Sequence, residues 1–283
     1  MLHKHGILSN VWLMEEQYAS NYLPIVISYL KGNSQPVEPK QEDYFRVALN
    51  SSTGYEISEY GYDVAPEDAP KDSIAIIDIN GVIEKHDQYC GPSGMITKSR
   101  ILERCYNINN IKGIVLNIES GGGSGTAMRL ISETIAKRNK PMVAFVSDFA
   151  ASAAYGIASG ADIIVANSDY ARVGSIGTYM TIASYEEKLK KEGIQLVEVY
   201  ATASKDKNKD YYDALKGDTK EIQKTADTFN EMFLSMVETN REGKLTADRS
   251  SWGTGKMYFA PEALELGLID NIDSFSNILN YFV

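Results

Sequence analysis

Four short stretches of this chain combine residue types that could do chemistry. The first, Ser120-Gly121-Gly122-Gly123, follows an apolar run and precedes a helical pattern. Consecutive glycines let the backbone approach a ligand closely and turn its N–H groups outward, where they can hold a phosphate or an oxyanion. A phosphate site is poorly supported, because no GxxxxGK[ST] is present and the next basic residue is Arg129. The plain alternative is a tight strand–helix turn. The second stretch, Asp148 to Gly156, also follows an apolar run and opens a helix. Its Ser152 is flanked by alanines, so the hydroxyl could meet a substrate backbone unobstructed. A helix N-terminus there favours developing negative charge. Small residues at this spacing also occur as a helix-packing stripe. The third, Val173-Gly174-Ser175-Ile176-Gly177, reads as a glycine turn, and the fourth, Ser204-Lys205-Asp206-Lys207-Asn208-Lys209, as a solvated charged loop.

Composition removes several competing chemistries. Histidine occurs only as His3, His5 and His86. A Ser–His mechanism or a two-histidine zinc site would depend on His86 or on the extreme N-terminus, so a mechanism without histidine is expected. The two cysteines, Cys90 and Cys105, do not suffice for a metal site. A net charge of −10 disfavours nucleic-acid and membrane-surface binding, with the lysines at 205–209 as the sole basic cluster. No apolar run reaches the roughly 18 residues of a membrane span. Glu15, Glu16 and Gln17 interrupt any secretory apolar region. A cytoplasmic protein with reduced thiols is expected.

These stretches are set among alternating strand and helix patterns. Strands are predicted at 74–79, 113–118, 142–146, 163–166 and 196–200. Helices are predicted at 99–108, 126–138, 152–158, 184–192, 219–242 and 261–266. This alternation argues for an α/β domain with largely parallel pairing. Residues 1–70 differ: mixed apolar and polar residues at 12–30 predict a mostly helical extension, and the acidic 56–72, with Pro66 and Pro70, reads as a linker. The expected division is an extension over 1–70 and a catalytic domain over 71–283.

Taken in order, the glycine loop, the serine, the Gly-Ser turn and the lysine cluster resemble peptidase family S49, the signal peptide peptidase A type. The family's S-P-G-G corresponds to Ser120-Gly121-Gly122-Gly123, its A-A-S-G-G-Y to Ala150-Ala151-Ser152-Ala153-Ala154-Tyr155, and its T-G-S-[IL]-G to Val173-Gly174-Ser175-Ile176-Gly177. The closing pattern is matched by Tyr258, Ala263, Gly267, Leu268, Ile269 and Asp270, and the opening strand by 76–83. Gly121 replaces a proline, and Ala153 and Ala154 replace two glycines.

The resemblance implies the ClpP/crotonase superfold of stacked β-β-α units and a serine endopeptidase with a Ser–Lys dyad. Ser152 would be the nucleophile, activated by a neutral lysine that Ser175 orients. The N–H groups of Gly122, Gly123 and Ala153 would form the oxyanion hole, each worth about 3 kcal/mol. Neither metal nor cofactor is required. Family spacing from Ser152 points to Lys205, spacing back from Thr219 to Lys209, and a phage-type S-x-x-K-N pattern to Lys207, the assignment adopted. If the segment is extended, all three lysines face one side.

Without an anchor, the chain fits the phage prohead-maturation branch, acting on scaffold or capsid proteins in the host cytoplasm or inside the prohead. A soluble housekeeping S49 peptidase, a crotonase-type acyl-CoA enzyme using Glu119, and an inactive assembly protein are the alternatives. A homo-oligomer is expected, with residues 1–70 regulating or targeting the enzyme.

Overall fold

The computed structural model describes residues 12–14, 46–51, 54–57, 69–88, 91–182, 184, 186–191, 193 and 197–282. In chain order the elements are β1 (Trp12–Met14), β2 (Arg46–Ser51), β3 (Gly54–Ile57), β4 (Ser73–Ile83), α1 (Met95–Asn107), β5 (Ile111–Ser124), α2 (Gly125–Ala136), β6 (Met142–Ala151), α3 (Ala153–Ser159) and β7 (Ile163–Ala166). They continue with β8 (Arg172–Gly174), α4 (Glu186–Lys191), α5 (Lys209–Leu215), α6 (Lys220–Asn240), α7 (Arg249–Trp252), β9 (Met257–Phe259), α8 (Ala260–Glu265), β10 (Asn271–Ile272) and α9 (Phe275–Ile278), with a final 3₁₀ turn at Leu279–Phe282.

Strands β4, β5, β6 and β7 pair in parallel, in that order, at the centre of the sheet. Their nearly unbroken Ile/Val/Ala runs follow from burial on both faces. Along β4, Ala75, Ile77 and Ile79 face a core shared with α1, α2, α3 and the second half of α6. Ile74 and Ile76 face the opposite core, which Ile278, Leu279 and Phe282 close from the C-terminus. There the Phe275 ring meets Phe145 edge-on at 5.0 Å. Helix α1 turns Ile101, Leu102, Cys105 and Tyr106 inward, a spacing that lines one helical face. This is the α/β architecture of stacked β-β-α units expected from the sequence.

Several expectations are corrected. The described part of the N-terminal extension is strand: β2 pairs antiparallel with β4, Arg46 opposite Ile76, and buries Val47 and Ala48. Arg46 also donates to Asp78 through Nε at 3.0 Å. The predicted helix over 12–30 begins instead with the strand Trp12–Met14; 15–30 lies outside the described residues, as do most of 56–72 and Cys90. The 163–166 strand is as predicted, and its neighbours run longer, because pairing continues past the apolar runs into Gly122, Gly123 and Ala151. The predicted strand at 196–200 is not formed over 197–200, where Val197 and Val199 are exposed. The lysine segment is not extended. Lys207 N–H donates to Ser204 O in a turn, and Asn208 adopts a left-handed conformation (φ 60°) that starts α5.

Candidate active site

Ser152 stands between β6 and α3, where the chain reverses from strand to helix. Its φ of 55° and ψ of −120° are unusual for a residue with a Cβ. The turn is held by its own backbone: Ser152 N–H donates to Gly174 O at 2.7 Å, and Gly156 N–H to Ser152 O at 3.0 Å. Backbone strain of this kind costs about 1–3 kcal/mol and is kept only where surrounding contacts impose it. The Ser152 side chain is buried, and its Oγ has no hydrogen-bond partner among the described residues.

Ser175 is brought to the same place. Strand β8 pairs in parallel with β6, Gly174 opposite Ala151, so Ser175 and Ser152 each follow a paired residue. Ser175 also has positive φ (50°), and its N–H donates to Lys256 O at 2.8 Å. The antiparallel pairing of β9 with β8, Tyr258 opposite Val173, holds this turn from behind.

The glycine loop lies along the other flank. Strands β5 and β6 remain paired as far as Ser120 opposite Ala150. Beyond that point Val82 and Ile83 of β4 pair with Gly122 and Gly123. A Cβ on Gly123 would lie 2.3 Å from Ile83 O, and the residue has φ +156°, so only glycine fits. Ser120 Oγ donates to Gly81 O at 2.5 Å and accepts from Gly122 N–H at 3.1 Å, which pins the loop to the end of β4.

Helix α3 is anchored by contacts that sequence reading missed. Gly156 allows close approach: a Cβ there would lie 2.3 Å from Met128 Sδ on α2 and 2.9 Å from Phe233 on α6. Tyr155 is fully buried and donates its hydroxyl to Leu268 O at 2.8 Å. Burial raises its phenol far above the usual range. The neighbouring Gly267 O accepts from Arg241 Nε and Nη2 at 3.1 and 2.7 Å. Asp270 accepts from Arg241 Nη1 at 2.8 Å and from Ile164 N–H at 2.7 Å. Burial would raise the Asp270 carboxyl, but its hydrogen bonds from Arg241 and Ile164 hold it below the usual carboxylate range. The Gly267–Asp270 motif is thus a bracket joining α3, α6 and β7.

The three lysines are not joined to Ser152 in this structure. Lys205, Lys207 and Lys209 are exposed, and Lys209 Nζ lies 3.3 Å from Asp213. His86 and Glu119 are exposed too. A different lysine is buried: Lys98, in the first turns of α1. Burial lowers its ammonium, while Asp78 and Asp87 act in the opposite direction. Among the described residues no group of three or more His, Cys, Asp and Glu side chains could hold a metal. A surface groove of about 890 Å³ along α6, lined by Lys224, Met232 and Ser235, contains none of the site residues.

Glu84 ends the strand that borders the glycine loop. Burial pushes its carboxyl up to about 7, opposed by a hydrogen bond from the Lys85 backbone, and Oε1 has no hydrogen-bond partner among the described residues. Between pH 4.5 and 7 the folded state therefore holds a proton that the unfolded state has released. This contribution is present at low pH and is lost as pH rises toward 7. Glu84→Gln should be more stable relative to wild type at about pH 8 than at about pH 5, by about 1–3 kcal/mol. Urea unfolding of both proteins at the two pH values measures this; an equal difference at both would show that Glu84 does not titrate in the fold.

The fold and this strand–serine–helix turn beside a glycine edge define the class first: an α/β protein with a buried serine at a strained strand–helix turn. The family follows from comparison. Residues 134–282, just over half of the chain, match the family model described as Peptidase family S49, and the chain belongs to that family. It is 29% identical over 212 residues to "Protease 4" of Haemophilus influenzae, covering 73% of this chain and 34% of that protein. It is 27% identical over 209 residues to "Capsid assembly protease C" of Escherichia phage lambda, covering 70% of this chain and 46% of that one. The chain spans about a third to a half of the length of these relatives. Among solved structures it is similar to a mutant of the 1510-N membrane-bound stomatin-specific protease, at 15% identity and a TM-score of 0.48, covering 76% of this chain and 85% of that one. No helix among the described residues is long and apolar enough to cross a membrane.

Proposed function

We propose that this chain is a serine endopeptidase in which Ser152 attacks the scissile carbonyl. The observation that carries the reading is the Ser152 turn: a strained, buried serine at the head of α3, its Oγ uncommitted, beside a glycine-lined edge. A hydroxyl so placed needs only a base and oxyanion donors. The Ala153 N–H opens α3, and Gly122 and Gly123 would supply the other donors. Gly122 would exchange its Ser120 Oγ partner for the oxyanion.

The base in this reading is a lysine of the 204–209 segment, with Lys207 first, brought over Ser152 in the active assembly and oriented by Ser175. Activity should then rise with pH as an amine loses its proton, with a midpoint below about 10.4; a histidine base would give about 6.5. Lys207→Ala should lose activity by at least about 10³-fold, and Lys205→Ala and Lys209→Ala by far less. Lys98→Met belongs in the same series, because Lys98 is the buried lysine whose ammonium is destabilised. An inactive Lys205, Lys209 or Lys98 variant beside an active Lys207 variant moves the base; four active variants end the lysine mechanism.

The substrates proposed are scaffold or capsid proteins of a phage prohead, a reading supported by the likeness to a phage capsid assembly protease. A housekeeping peptidase is the alternative, supported by the likeness to protease 4. Mass spectrometry of cut sites after mixing with phage coat and scaffold proteins separates the two. Size-fractionated protein should be used, so that activity is assigned to a monomer or to the homo-oligomer we propose. Exposed Val197, Val199 and Met232 and the little-buried first half of α6 suit a subunit contact. The catalytic unit is proposed to occupy 71–283, with 1–70 as an extension whose β2 and β3 continue the sheet beyond β4.

A further inference from the structure

The glycine edge beside Ser152 is already occupied. After Ser120, β6 turns away toward Ser152, and one edge of 122–124 is left open. Strand β4 covers the opposite edge, Val82 and Ile83 against Gly122 and Gly123. The open edge is taken by β1 of the same chain, running antiparallel with Trp12 opposite Ser124, Leu13 opposite Gly123 and Met14 opposite Gly122. An exposed strand edge lined by glycines is the feature that binds an extended peptide through main-chain hydrogen bonds. A peptide added there would be held in the slot that β6 vacates on its way to the nucleophile. In the same structure, with β1 on that edge, Ser152 is only 1% exposed.

We propose that Trp12–Met14 is an inhibitory strand, seated in cis where an extended peptide substrate must add to the sheet, and that its release opens the site. The proposal rests on the peptidase reading above. It assigns residues 12–14 a role as internal competitor, acting through backbone pairing, while every catalytic group lies elsewhere. The chain between β1 and β2, 31 residues from 15 to 45, serves as the tether. A tethered strand competes at an effective concentration of about 1 mM; with an affinity of about 0.1 mM it fills about nine-tenths of the sites, so release should raise activity about tenfold.

The test uses the full chain. Leu13→Pro removes the N–H at the centre of β1 and restricts φ, which abolishes pairing at that position. Labelling of Ser152 by a fluorophosphonate should be about tenfold faster in Leu13→Pro than in wild type, at an unchanged melting temperature. A synthetic peptide spanning 9–17 should slow the variant again. In wild type, a peptide boronate that captures Ser152 should deprotect the amides of 12–14 in hydrogen exchange, a readout that stands even if the proline variant folds poorly. Equal labelling rates in two folded proteins, or unchanged protection of 12–14 in the boronate complex, would overturn the inhibitory strand and leave the peptidase reading intact. Absence of Ser152 labelling in both proteins would sink the peptidase reading, and this inference with it.

Discussion

Ser152→Ala should reduce kcat/KM for peptide and ester substrates by about 10⁴-fold or more, with the melting temperature unchanged or slightly raised. The size of the kinetic effect follows from removing the proposed nucleophile, since what would remain is binding and whatever the oxyanion donors achieve with water. The small structural effect follows from the hydrogen bonds. Ser152 Oγ is buried and unpartnered among the described residues, so deleting it breaks no bond there and removes a polar atom kept from water. The turn is held by backbone bonds, Ser152 N–H to Gly174 O and Gly156 N–H to Ser152 O, which alanine keeps. Serine and alanine both carry a Cβ at φ 55°, so the strain is the same. Steady-state kinetics and calorimetry on the purified variant decide it. More than about one per cent of wild-type activity at an unchanged melting temperature would remove Ser152 from the mechanism.

Arg241→Met should cost about 3–5 kcal/mol of stability, where Ser152→Ala costs none. Arg241 is 1% exposed and donates to three acceptor atoms at once, Gly267 O and both oxygens of Asp270. Methionine fills much of the volume but leaves the Asp270 carboxylate and a backbone carbonyl without their main donor. The remaining partners of Asp270 are Lys244 Nζ, at 2.9 Å, and Ile164 N–H. The loss should spread to α3, because Leu268 O, which holds Tyr155, lies in the same bracket. Adding Asp270→Asn should recover part of the cost, since the uncompensated charge is then gone. The pair also predicts acid sensitivity. Asp270 is held below its ordinary value, so its contribution is present above that value and is lost as pH falls through the folded-state value. Denaturant midpoints for wild type and both variants measure this; a loss below about 1 kcal/mol in Arg241→Met would show that the bracket does not hold the fold.

What the sequence determined by itself is what local pattern encodes. Apolar runs of four to six residues between turn signals located the central parallel strands. The run Ala150 to Tyr155 placed Ser152 between a strand and a helix, where the structure has it; its proposed role came from the four motifs taken in order and their resemblance to the family. The glycine triplet and the Gly174-Ser175 turn were legible because they are short, and their residue types restrict the backbone directly. Tertiary structure decided what depends on register and on partners distant in the chain. Ser175 reaches Ser152 through the pairing of Gly174 with Ala151, a match between strands that no spacing rule predicts. Arg241 and Asp270 are 29 residues apart, and no local pattern pairs them; only the crossing of α6 with the Gly267 turn brings them together. Trp12–Met14 looked helical in isolation, but the open edge of 122–124 outweighs the weak helical preference of so short a segment. The lysines at 205–209 give the converse case. Their residue types suit catalysis, but whether an ammonium is buried and neutral is set by what folds over it, and in this structure all three face solvent. Types and turns are written in the chain locally; burial, pairing and charge state arise only when distant segments meet.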